Sequence, residues 1–234
     1  MTAAQYVFVT TGGEEIPVCV ATRRGIKNIT LRPKTKPGRE IHISKPWLVR
    51  DAAALKFLES KRKWIERIFA NAPQKQSAVP GMCMELFGRT VRIEHDPARY
   101  GNCFSHDGAC LIIGGAADMF ERRLRDVIKK EFISQAKAII RTAPRELWPV
   151  RIAVRDTVTR WGSCSSTGTI SFSWRLAFAP YDVMRYVVMH ELAHRKHMDH
   201  SPEFWAYVRE LYGFGVERAK RWLAQNGATL HRYF

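Results

Sequence analysis

His190 and His194 stand four residues apart in the string Met189-His190-Glu191-Leu192-Ala193-His194. On an α-helix such residues share one face, about one turn (~5.4 Å) apart along the axis. Both imidazoles can therefore address one metal ion. Glu191 is rotated by about 100° from His190, at the rim of that face. It does not join the two-histidine cage, but it can act on a water beside the metal. Two imidazole ligands and an adjacent carboxylate base form the arrangement that metal-assisted hydrolysis requires. The helix itself is expected over Val183–Met198, a stretch without Gly or Pro and with apolar Met184, Val187, Val188, Leu192 and Ala193. His190 and His194 continue the stripe of Val183 and Val187, so they face the interior. Buried imidazoles need partners, and a metal supplies one.

Zinc needs a third protein ligand, and His197 and His200 are the candidates. Tetrahedral ligands at ~2.0–2.1 Å from the ion lie only about 3.4 Å from one another. On a straight helix His197 would sit ~10.5 Å along the axis from His190, too far for one ion. His200 is better placed. The string Met198-Asp199-His200-Ser201-Pro202-Glu203-Phe204-Trp205 reads as a break followed by a new helix. Ser201 suits the N-cap and Pro202 the first helical position. A chain that turns back there presents His200 from a second element. Imidazole ligands also accept manganese, iron or nickel, so zinc is the first of several candidate ions.

Three blocks resemble the YgjP-like zinc metallopeptidases, relatives of the SprT-like and WLM families. They are Arg160-Trp161-Gly162-Ser163-Cys164-Ser165-Ser166, Ser173-Trp174-Arg175-Leu176, and His190-Glu191-Leu192-Ala193-His194 with its sequel His200-Ser201-Pro202-Glu203-Phe204-Trp205. The likeness is dense over about residues 152–205 and looser before, where Arg23–Lys27 and Lys63-Trp64-Ile65 also fit. It implies a zincin-like peptidase core acting on a polypeptide substrate, with His190, His194 and His200 as zinc ligands and Glu191 as catalytic base.

Val150, Ile152 and Val154 alternate with polar residues, as do Ile170, Phe172 and Trp174, with a turn signal at Thr167-Gly168-Thr169. A hairpin beside the active-site helix is expected there. Its exposed edge would pair with an extended peptide without reading its side chains. Arg160, Arg175, Tyr207 and Arg218 are candidates for stabilising a tetrahedral oxyanion. Asp182 and Glu217 are candidates for orienting the histidine rings. Cys164 reads as a structural thiol, since nothing near it marks a Cys–His pair.

The expected fold class is α+β. Residues 1–115 read as a β-rich, basic N-terminal region with one amphipathic helix at about 50–70. Residues 116–234 read as the helical peptidase core, opening with a long helix at 116–142 and closing with helices at about 202–212 and 215–226. His42, His95, His106 and His231 are scattered and receive no assigned chemistry.

Composition sets outer bounds. No run approaches the ~18 apolar residues of a membrane span, and residues 1–6 lack the features of a signal peptide. Five cysteines, an odd number without a CxxC, argue against a disulfide framework. A reducing, cytoplasmic location is the expectation. The net charge is +16, and residues 21–75 hold 15 Lys/Arg against four Asp/Glu, a net +11. Charge of that size attracts polyanions, nucleic acid among them. Two alternatives to a peptidase follow. One is a metal-dependent hydrolase of another bond, such as a nucleotide phosphoanhydride. The other is a basic, nucleic-acid-associated module with a structural zinc. Glu191 speaks against the last, because a closed structural site has no use for a base at an open position.

Overall fold

Alternation of apolar and polar residues builds the first sheet. The computed structural model describes residues 4–34, 38–70, 76–157 and 160–234. The chain divides into two units, Met1–Pro73 and Gln74–Phe234. In the first unit β1 (Ala4–Val9), β2 (Glu15–Arg23), β3 (Thr30–Lys34) and β4 (Glu40–Pro46) form a sheet of order β1-β2-β4-β3. β1 and β2 pair antiparallel, as do β3 and β4, and the two pairs join through a parallel seam between β2 and β4. Ile16, Val18, Val20, Ile41 and Ile43 fill one face. They share a core with Ala54 and Leu58 of α1 (Asp51–Ser60) and with Ile65 and Phe69 of α2 (Arg62–Ala70).

The single helix expected at 50–70 is thus two. Lys61 leaves helical geometry at φ −104°, ψ 9°. Beside it the Ser60 hydroxyl donates to the Phe57 carbonyl at 2.7 Å, a local bond that competes with the helical ladder and bends it. Part of the unit's positive charge is spent on internal pairing. Buried Lys45 contacts Asp51 at 3.0 Å and donates to the Val49 carbonyl, while Arg39 pairs with Glu14 and Arg62 with Glu59.

The second unit opens with β5 (Cys83–Leu86), β6 (Arg89–Asp96), β7 (Asn102–Phe104) and β8 (Cys110–Gly114), in the order β5-β6-β8-β7. This sheet had been expected with the N-terminal region. Its apolar face, Val91, Ile93, Leu111 and Ile113, instead packs with Leu124, Ile128 and Phe132 of α3 (Phe120–Arg141) in one core. A division at 115/116 would cut through that core.

β9 (Arg151–Arg155), β10 (Gly162–Cys164) and β11 (Thr169–Ser173) form a third sheet, ordered β10-β11-β9. The sequence suggests that the segments around 152 and 172 pair as a hairpin. They are parallel neighbours instead, with Ile152 opposite Ile170 and Val154 opposite Phe172. The hairpin is β10–β11, turning at Ser165–Gly168, where Gly168 adopts φ +85°. Gly162-Ser163-Cys164 has no apolar alternation, so its role as the first strand of the hairpin left no period-2 signal. Trp174 lies beyond the strand in a 3-10 segment and is fully buried. Three helices complete the unit: α4 (Tyr181–Ala193), α5 (Pro202–Tyr212) and α6 (Val216–Asn226). Among the described residues no helix is long and apolar enough to cross a membrane.

Arg175 clasps the end of this chain. Only 4% exposed, it donates to both Asp156 oxygens at 2.6 and 3.1 Å and to the carbonyls of Tyr233 and Phe234 at 2.7 and 3.3 Å. Partial burial pushes the Asp156 carboxyl up. The guanidinium's hydrogen bonds and charge outweigh that and hold it below its ordinary value. A depressed carboxyl stabilises the fold above its unfolded value of about 3.9, and that contribution is lost as pH falls through the depressed value. Asp156→Asn should therefore melt several degrees below wild type at pH 7. The gap should shrink as pH drops below about 3.9, which melting curves over a pH series would show.

Candidate active site

The site begins with the way α4 ends. Asp182 lies in its first turn, where a carboxylate favours the helix dipole. The helix stops at Ala193, five residues before the expected Met198. His194 caps it with φ −64° and ψ −14°, still helical, so its one-turn relation to His190 is kept. The chain then tightens, with Arg195 N–H donating to the Leu192 carbonyl and the N–H groups of Lys196 and His197 to that of Ala193. This turn carries the His197 carbonyl to 3.0 Å from His194 Nδ1. A carbonyl only accepts, so Nδ1 bears the proton and Nε2 is left as a free lone pair. His197 thus orients a neighbouring ring through its backbone.

His200 arrives from the loop before α5. Ser201 caps that helix, its Oγ accepting from Phe204 N–H at 3.3 Å, and Pro202 occupies the first helical turn. The result brings His190, His194 and His200 together, with one nitrogen from each lying within 4.8 Å of the others. His190 Nε2 and His200 Nε2 face each other at 3.3 Å. That is close to the ~3.4 Å spacing of two ligands on one tetrahedral zinc. Buried His190 Nδ1 has no hydrogen-bond partner among the described residues. Burial, and then the other two rings, push His190 down to about 3; burial likewise lowers His194. Both rings are therefore neutral at pH 7, with lone pairs free to bind a cation. Three imidazole nitrogens gathered in this way fit zinc.

Phe204 holds the three rings. It is fully buried, stacks on His194 with centroids 4.4 Å apart, and meets His190 and His200 edge-on at 5.0 and 4.8 Å. Trp205 closes a second side against His190 and His200 and carries Lys220 over its ring at 4.4 Å. Residue type alone gives neither aromatic a role, although both lie in the first turn after Ser201-Pro202.

Glu191 is 5% exposed, and its room comes from Gly162 of β10. A Cβ at Gly162 would lie 2.5 Å from Glu191 Oε1 and 2.6 and 2.7 Å from its Cγ and Cδ. No side chain fits there without moving the carboxyl. Burial pushes Glu191 up to about 8, with Arg160 pulling it back. Burial and the neighbouring Glu191 charge raise the Cys164 thiol, which suits an inert thiol.

The remaining candidates separate cleanly. Arg175 is committed to Asp156 and the last two carbonyls. Arg218 pairs with Asp182 at 3.0 Å, and Glu217 pairs with Lys220 at 3.2 Å, so the candidates Arg218, Asp182 and Glu217 are each engaged in an ion pair. Tyr207 packs edge-on against His197 under Lys196. Arg160 is the exposed cation whose field reaches Glu191.

Among solved structures, the metallopeptidase zymogen abylysin of Pyrococcus abyssi is similar at 28% identity, over 45% of this chain and 98% of that chain, with a TM-score of 0.33. A search of curated proteins gave no match. The family model described as "YgjP-like, metallopeptidase domain" matches residues 27–226. With most of its length so matched, and with its histidines gathered as described, the chain belongs to the YgjP-like metallopeptidase family.

Proposed function

We propose that this protein is a zinc-dependent peptidase with a zincin-like core, in which His190, His194 and His200 hold the ion and Glu191 is the general base. The observation that carries this reading is the buried Glu191 carboxyl, free of any salt bridge among the described residues, on the residue next to one of three convergent imidazoles. Zinc bound there would supply Lewis acidity toward the scissile carbonyl and toward water. Glu191 takes a proton from the attacking water and delivers it to the leaving amine. Its raised affinity for protons suits both halves of that task near neutral pH. Arg160 is assigned to the developing oxyanion as the cation whose charge acts on Glu191 and which has no ion-pair partner among the described residues.

A polypeptide substrate follows from the family and is supported by the sheet. β10 is an outer strand of its sheet, and its Gly162 lies against Glu191. An extended peptide added along such an edge gains main-chain hydrogen bonds and brings its carbonyls past the site. The candidate metal group contains three protein ligands and no fourth among the described residues, which supports a catalytic rather than a closed structural site.

Two variants test the assignment. Glu191→Gln should keep its metal and lose hydrolysis of unfolded casein by about 10²–10⁴-fold, the range for general base catalysis. With the metal stripped it should melt no lower than wild type, because it removes a buried acid. Retained hydrolysis would remove Glu191 from the mechanism. Gly162→Ala should also lose most activity while metal content, read by mass spectrometry, stays at the wild-type level. A fully active Gly162→Ala enzyme would show that the position of the carboxyl is not critical.

A further inference from the structure

The outer face of the first sheet carries a second cluster of side chains of metal-ligating type. Cys19 of β2 and His42 of β4 are direct partners in the parallel ladder. Glu40 precedes His42 by two residues and so lies on the same face. One ligand atom from each of the three lies within 4.8 Å of the others. Cys19 Sγ donates to Glu40 Oε1 at 3.2 Å, and His42 Nε2 lies 2.5 Å from Glu40 Oε2. Lys34 Nζ stands at the rim, 3.7 Å from the same carboxylate. All three groups are half-buried, with Val18, Val20, Ile41 and Ile43 on the opposite, core face.

The location gives such a site a purpose. β2 and β4 form the seam where the two antiparallel pairs of the sheet meet, and the contacts across it are distant in sequence. A unit of this size buries a small core, and metal cross-links commonly supply the stability that small cores lack. One thiolate, one imidazole and one carboxylate are together a donor set for zinc or a similar late first-row ion.

We propose that Cys19, Glu40 and His42 bind a transition-metal ion of the zinc class and clamp the β2–β4 seam, at a site separate from the three-histidine centre. On binding, the Cys19 thiol loses its proton to solvent, the sulfur–metal bond forms, and His42 turns its Nε2 lone pair to the ion. The cluster's present hydrogen bonds are then replaced by ligation. A hydrogen-bonded triad that never takes up metal is the competing outcome.

Cobalt(II) tells the two sites apart, because the three-histidine site has no sulfur ligand. The full-length protein, stripped with a chelator and titrated with cobalt(II), should develop a near-ultraviolet thiolate-to-cobalt charge-transfer band. His194→Ala and Cys164→Ser should both retain that band, and Cys19→Ser should abolish it. His42→Gln should weaken cobalt binding at this band at least about 10-fold, the cost of losing one orienting or ligating group. Absence of the band in wild type, its persistence in Cys19→Ser, or its loss in Cys164→Ser would each overturn the proposal. None of these outcomes depends on whether the three-histidine site is occupied.

Discussion

Removing the rings of His190 and His194 and the Glu191 carboxyl from water is costly unless their polar atoms are met, and that cost shapes the site. One ring is settled by a backbone carbonyl, that of His197, which the shortened end of α4 places at His194. Two others turn their nitrogens toward each other rather than toward a protein acceptor. Phe204 then fills the space between all three, so the rings are held by packing as well as by sequence spacing. The carboxyl is accommodated by an absence, the missing side chain of Gly162. Helix, loop and strand each contribute one part, and none of the parts is useful without the others.

The charged residues around the site divide between chemistry and architecture. Arg175 lies in one of the blocks that carry the family likeness and is one of the four candidates for stabilising an oxyanion. Its four hydrogen bonds instead fasten β9 and the last two residues to the core. A guanidinium with its donors already used cannot also follow a developing charge. Arg218 is likewise committed, to Asp182. Arg160 acts on Glu191 and has no ion-pair partner among the described residues, which is the ground for proposing it for the electrostatic role.

The legible part of the site was the part governed by local rules. Helical periodicity placed His190 and His194 together, and Ser201-Pro202 marked the restart that brings in His200. What escaped the sequence depends on partners distant along the chain. The end of α4 is set by a carbonyl meeting a ring. The strand beside Glu191 is Gly162-Ser163-Cys164, which is short and has no alternating pattern. β9 and β11 show clear alternation, but that pattern does not say whether neighbours run parallel or antiparallel. The β5–β8 sheet looked like part of a β-rich first region because composition cannot tell which core a strand's apolar face joins. Cys19, Glu40 and His42 were invisible for the same reason, since strand register alone makes neighbours of residues 23 apart.

The most direct test of the account is the metal content of wild type, His194→Ala and His200→Ala, with hydrolysis of unfolded casein and of nucleoside triphosphates measured on the same samples. Each variant should carry one ion fewer than wild type, and both should lose casein cleavage, while no sample should cleave the nucleotides appreciably. Variants that keep the wild-type metal complement and cleave casein at the wild-type rate would contradict a three-histidine peptidase centre. Metal-dependent nucleotide cleavage without casein cleavage would contradict the assigned bond.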